Sequence, residues 1–209
     1  MSEPTTKPIS RQQAVGTATR AETRRRLLVS AGEEFAERGY AAATVDRIAR
    51  GAGVTVQTLY LAWGSKRALL HGYIESVITN STGTPEDVVC RFAGLGAEEI
   101  VQELAVTVGQ IAVRSATAWK LYRDAAATDP EIAADWQELQ EARRTTMQHI
   151  VQLIPASARR TGLTVDAAAD TAWVIAGPES YDLLVRRADY SMENYVEWMA
   201  STLRAAILG

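Results

Sequence analysis

Apolar positions recur along this chain at intervals of three and four residues, the spacing of one face of an α-helix. No stretch sustains the alternation of a half-buried strand, and no Asn-Gly turn is flanked by strand-like runs. Residues 1–19 are Ser-, Thr-, Pro- and Gln-rich without periodicity and read as a disordered arm. The first helix is expected near Arg20, with Leu28, Ala31 and Phe35 on its apolar side and Gly39 where a left-handed C-terminal cap belongs. Thr44 is a good N-cap for a short second helix, with Asp46 in its first turn and Ile48 and Ala49 facing inward. Gly51-Ala52-Gly53 breaks that helix, and Thr55 caps a third carrying Leu59 and Tyr60. Gly64-Ser65 starts a fourth, striped by Leu69/Leu70, Tyr73/Ile74 and Val77/Ile78. The polar run 80–84 is the best domain boundary.

Beyond it the pattern stays helical. Thr84-Pro85-Glu86-Asp87 is a cap, an N1 proline and an acidic first turn. After Gly94-Leu95-Gly96 comes a helix of Ile100, Leu104, Val108 and Ile111. Asp129-Pro130-Glu131 opens a long helix through Trp136, Leu139, Met147, Ile150 and Ile154, stopped by Pro155. Thr164 caps another, kinked or divided at Gly177-Pro178, and Ser191 caps the last, striped by Tyr195, Trp198/Met199, Thr202/Leu203 and Ala206/Ile207. The expected fold is all-α with about nine helices: an arm (1–19), a helical domain with a connecting helix (20–80), and a second helical domain (84–209).

Charge sharpens this division. The net charge of −3 is the balance of 11 Lys and Arg against 7 Asp and Glu through residue 80, and 11 against 18 beyond it. A basic segment ahead of an acidic one points to a polyanion meeting the first part only. A lone cysteine, Cys90, excludes an intramolecular disulfide and any Cys-rich metal site. No apolar run reaches the roughly 18 residues of a membrane span, and the first twenty residues lack a signal-peptide core, so a cytoplasmic protein without membrane contact is expected. Enzymatic chemistry has little to work with: His71, His149 and Cys90 are isolated, and the pairs Glu33-Glu34 and Glu98-Glu99 diverge on helices. No cofactor or metal site is read.

The segment 44–63, two short helices joined by a glycine turn, has the make-up of a helix-turn-helix. Ala49 is small where the helices cross, Gly53 suits the turn, and Ile48, Val54 and Leu59 lock the pair. Lys66 opens the fourth helix, at the unfavourable end of the dipole for a cation. It fits a phosphate bound at that N-terminus, or a solvated lysine, the commoner case. Tyr60 fits either a phosphate contact or a part-buried core aromatic with a wet hydroxyl.

Thr44-Val-Asp-Arg-Ile-Ala49, Gly53-Val-Thr-Val-Gln-Thr-Leu-Tyr60 and Ser65-Lys-Arg-Ala-Leu-Leu70, with Leu28, Ala31, Phe35 and Gly39-Tyr40 before them, together resemble the DNA-binding domain of the tetracycline-repressor (TetR) family over about residues 20–75. The resemblance implies a dimeric, sequence-specific regulator. Thr44, Thr55, Tyr60 and Lys66 would hold phosphates, Val56, Gln57 and Thr58 would face base edges, and Asp46 and Leu61 would add secondary contacts. Arg20, Arg24, Arg25 and Arg26 read either as a backbone-tracking arm or as a solvated face. Ala62 departs from the family pattern at a position that often touches DNA, so no base preference transfers; Trp63 stands in for the buried aromatic.

The same resemblance implies that residues 84–209 dimerise and enclose an effector. Tyr181, Leu184, Val185, Trp198, Met199, Thr202 and Leu203 are expected at the interface, with intramolecular core as the alternative for each. Pro178-Glu-Ser-Tyr-Asp-Leu-Leu184 is similar to a C-terminal subtype of actinobacterial members. Trp119, Tyr122, Trp136, Met147 and Trp173 would line an apolar pocket or form plain core. If there is a pocket, its aromatics and the acidic balance of the domain favour an aromatic, neutral or cationic small molecule. The expected partners are therefore an operator duplex, a second copy of the chain and a small-molecule effector. A helical scaffold whose DNA-binding head has lost its function is the competing class.

Overall fold

The computed structural model describes residues 11–82 and 84–209. Among them are ten α-helices, a 3-10 turn at Ala156–Ala158, and a single isolated bridge between Arg159 and Leu208. The chain divides into two compact units between Tyr73 and Ile74.

The first unit holds α1 (Arg11–Ala42), α2 (Val45–Gly51), α3 (Val56–Trp63) and the start of α4 (Lys66–Thr82). Its core is Leu27, Ala31, Phe35, Ile48, Ala49, Leu59, Leu69 and Leu70, all at most 1% exposed. Leu27, rather than Leu28, takes the innermost position on α1. Helix α1 is interrupted at Gly39 (φ 73°, ψ 166°), where the sequence placed a cap. It begins at Arg11, so residues 11–19, expected in a structureless arm, are helical; residues 1–10 lie outside the described residues. Residues 17–20 are exposed. A helix turn that buries nothing carries no apolar stripe, and this one was therefore invisible to a periodicity reading.

Short α2 and α3 are held by side-chain caps: Thr44 Oγ1 accepts from Arg47 N, and Thr55 Oγ1 from Thr58 N at 3.1 Å. Gly53 between them has φ 64°, a conformation that costs a side chain roughly 1 kcal/mol or more. A Cβ there would stand 2.5 Å from Arg26 Nη2, so the end of that side chain would also have to shift.

The second unit runs from the later turns of α4 through α5 (Pro85–Cys90), α6 (Ala97–Ala126), α7 (Pro130–Gln152), α8 (Val165–Ile175), α9 (Pro178–Leu184) and α10 (Met192–Ile207). Thr84, Asp129, Thr164 and Ser191 each cap the helix that follows, and Thr84 and Asp87 close a reciprocal capping box. Gly177-Pro178 divides α8 from α9. Helix α6 packs on α7 and α10, and α7 on α8. Their shared core includes Ile100, Leu104, Val108, Met147, Ile150, Ala172, Tyr195, Met199 and Leu203. The polar run 80–84, read as the domain boundary, holds the last residues of α4, which runs to Thr82, and Thr84, the cap of α5.

Candidate nucleic-acid interface

Helix α3 turns one side to the core and the other to solvent. Leu59 is fully buried, while Gln57, Tyr60 (48% exposed) and Leu61 (83% exposed) lie at i, i+3 and i+4 on the outer side. Val56 and Thr58 are half-buried at the same N-terminal turn, and Thr44, Asp46 and Thr55 are exposed beside it. The Thr55 and Thr58 hydroxyls bond each other at 2.9 Å, so one hydroxyl hydrogen of the pair stays within the protein.

The basic side chains also make contacts within the unit. Lys66 Nζ donates to the carbonyls of Tyr40 (2.9 Å) and Ala43 (3.1 Å) and lies 4.3 Å from the centre of the Tyr40 ring. Arg26 donates to the carbonyl of Ala52, the C-cap of α2. Arg24 donates to the carbonyl of Ala62 near the end of α3 and stacks 3.8 Å from the centre of the Trp63 ring. Arg47 reaches the Ala42 carbonyl at 2.6 Å. Each helix end in the unit thus has a cation on carbonyls that the helix itself leaves unpaired. Arg25 pairs with Glu22 at 2.7 Å on an exposed face.

Glu34 gathers the join between α1 and α2. Its carboxylate accepts from Arg47 Nε at 2.5 Å and from Thr44 N at 3.4 Å, and it faces Arg38 at 3.5 Å. The Arg47 hydrogen bond, before all else, holds its carboxyl below the ordinary 4.5. Trp63, the aromatic expected inside, lies on Gly72 of α4 so closely that a Cβ there would overlap its ring.

Residues 27–73, which hold α2, α3, Glu34 and Lys66, match the sequence model of the family described as bacterial regulatory proteins, tetR family. This helix-turn-helix unit belongs to the tetR family. Solved TetR-type structures show that the rest of the chain shares their fold. NalD of Pseudomonas aeruginosa, the secondary repressor of the MexAB-OprM multidrug efflux pump, superposes with a TM-score of 0.70 at 15% identity, covering 91% of this chain and 98% of its own. A TetR-like transcriptional regulator from Rhodococcus sp. gives 0.61 at 17% identity, covering 88% and 94%. FadR from Bacillus subtilis, solved with stearoyl-CoA, gives 0.62 at 20% identity, covering 86% and 95%. No helix among the described residues is long and apolar enough to cross a membrane.

In the second unit, three of the five aromatic and Met positions singled out by the sequence form one cluster. Trp136 meets Trp119 and Tyr122 edge-on, with ring centres at 5.5 and 5.8 Å. Met147 belongs to the core, and Trp173 packs against it. The expected interface residues separate. Met199 and Leu203 are fully buried within their own chain on the inward side of α10, the core alternative that the sequence left open for each. Tyr181, Leu184, Val185, Trp198 and Thr202 are half-buried. The sequence missed Val174 (64% exposed) and Leu183 (55% exposed), apolar side chains that α8 and α9 turn outward. They stand beside inward residues of similar character, so their exposure leaves no mark on composition.

Proposed function

We propose that the protein is a dimeric, sequence-specific DNA-binding regulator, a repressor released from a near-palindromic operator by a small-molecule effector. The observation that carries this reading is the outer side of α3: Gln57, Tyr60 and Leu61 exposed together on a rigidly capped recognition helix within a tetR-family unit. Gln57 suits a bidentate contact to adenine, Val56 and Leu61 suit thymine methyl groups, and the Tyr60 hydroxyl suits a phosphate oxygen. Thr44 and Thr55 at two helix N-termini add phosphate contacts, with Lys66 joining them from its place on the α1 carbonyls. The paired recognition helices of a dimer would enter successive major grooves about 34–36 Å apart.

Dimerisation is assigned to the outward sides of α8, α9 and α10, with Val174 and Leu183 joining Trp198 and Thr202 in place of Met199 and Leu203. Repression and ligand response are supported by relatives of the same fold, NalD as a repressor and FadR with its bound stearoyl-CoA. An effector that binds better to another spacing of the two heads shifts the population away from DNA. Fluorescence anisotropy of a labelled duplex across a salt series tests the DNA-binding core of this reading. Affinity falling steeply with salt, and lost in a Gln57→Ala/Tyr60→Ala double variant, is expected. A flat salt response from folded protein, unchanged in the variant, would overturn it.

A further inference from the structure

The inward stripe of α7 runs Trp136, Gln140, Arg143 and Met147 at i, i+4, i+7 and i+11, between buried Ile132 and buried Ile150. Two polar residues thus interrupt an otherwise apolar face at its midpoint. Arg143 Nη1 donates to Gln140 Oε1 at 2.6 Å, and Nη2 reaches the carbonyls of Trp173 (3.5 Å) and Ala176 (3.4 Å) at the end of α8. The guanidinium also stands 5.3 Å from the centre of the Trp119 ring on α6. All its hydrogen-bond acceptors are neutral. Arg123, Arg144, Arg186 and Arg204 each have a carboxylate within 4.0 Å, whereas Arg143 has none among the described residues. Glu179, the carboxylate whose charge it feels most, is paired with Arg123 at 3.6 Å.

Desolvation pushes Arg143 down to about 10. An arginine without a counter-charge in such surroundings is a cost that a fold does not carry for stability. Elsewhere on α8, the Trp173 indole Nε1 is buried without an acceptor among the described residues. A guanidinium only donates, and with neutral acceptors alone around it, the charged acceptor of a ligand would suit it. Arg143 is half-buried rather than sealed, which leaves a way in.

We propose that Arg143 is the anchor of an effector site at the junction of α6, α7 and α8, and that the effector is an amphipathic monocarboxylic acid. Its carboxylate lies on the guanidinium fork, and its apolar body lies against Trp119 and Trp136. This rests on the ligand-responsive reading given above and replaces the neutral or cationic ligand expected from the domain's acidic balance. The carboxylate that acts on Arg143, Glu179, is paired with Arg123, so the guanidinium itself has no paired carboxylate. The competing structural role is a cap on the end of α8, but hydrogen bonds of 3.4 and 3.5 Å are long for a charged donor whose main task is capping.

The test uses the full-length protein and three acids (phenylacetate, indole-3-acetate and octanoate), each beside its amide, with phenethylamine as the cationic probe. Thermal shift and calorimetry at millimolar ligand should show at least one acid stabilising the protein and its amide failing to do so. Arg143→Gln should weaken that acid about tenfold or more, and Arg143→Lys should keep part of the affinity. The acid–amide comparison on unaltered protein needs no variant, so it decides the matter even if Arg143→Gln folds poorly. Acids that bind no better than amides or amines, or that bind Arg143→Gln as well as the native chain, would overturn the assignment, as would binding by none of the acids. Release of DNA by an amide or amine would then leave the ligand-responsive reading standing and remove only the acid.

Discussion

Lys66, at the first turn of α4, donates to the main-chain carbonyl of Tyr40 at 2.9 Å and holds its ammonium over the Tyr40 ring. A cation placed where the dipole of its own helix disfavours it is compensated by the carbonyl end of another. The lysine therefore ties α4 to the end of α1 whether or not a phosphate is present. Lys66→Met, which keeps the aliphatic stem, is expected to destabilise the protein by about 1–2 kcal/mol in the absence of DNA. Urea denaturation of the two proteins checks this; unchanged stability would return Lys66 to a role in DNA contact alone.

Trp63 and Gly72 make a second junction on α4. Alanine normally improves a helix interior by about 0.5–1 kcal/mol over glycine. Here its methyl group would overlap the indole, and overpacking costs about 1–3 kcal/mol. Gly72→Ala is therefore expected to lower stability, contrary to helix propensity, as thermal denaturation will show.

Glu34 gives the first unit a pH dependence. Its folded carboxyl is held below the ordinary 4.5, mainly by the hydrogen bond from Arg47. Its contribution to stability is thus present above the unfolded value and is lost as pH falls through the folded one. Glu34→Gln should be less stable than the native chain at pH 7, with the gap closing as pH drops below 4.5. Denaturant midpoints at several pH values measure the gap; a gap constant down to acid pH would contradict the ion-pair account.

Leu183, exposed on α9, and Met199, buried on α10, test the proposed interface against the core. Leu183→Glu, on an outward side of α9, should shift the protein from dimer to monomer in sedimentation equilibrium with little change in helicity. Met199→Ala, in the core, should lower stability by about 2–4 kcal/mol and leave the association surface intact.

What could be read from the sequence was local. Thr44, Thr55, Ser65, Thr84, Asp129, Thr164 and Ser191 all cap the helices they precede, because a cap is a contact between a side chain and the next few amides. Gly53 and Gly177-Pro178 were legible for the same reason. The start of α1 was not: its residues 17–20 are exposed, and an exposed turn needs no apolar stripe. Nor were the true partners of Arg24, Arg26 and Lys66, which lie 23 to 38 residues away along the chain. Arg143 was overlooked altogether: in sequence it is one of two adjacent arginines, and only the fold places Arg144 on Asp170 and leaves Arg143 without a carboxylate.

The central claim is sequence-specific recognition through α3, and selection from a random duplex library tests it most directly. The purified protein and a Gln57→Ala/Tyr60→Ala variant would be carried through the same rounds at low salt. The account predicts a palindromic motif from the native protein, with half-sites about one helical turn apart, and no motif from the equally folded variant. Failure of the native protein to enrich any motif, or recovery of the same motif by the variant, would contradict it.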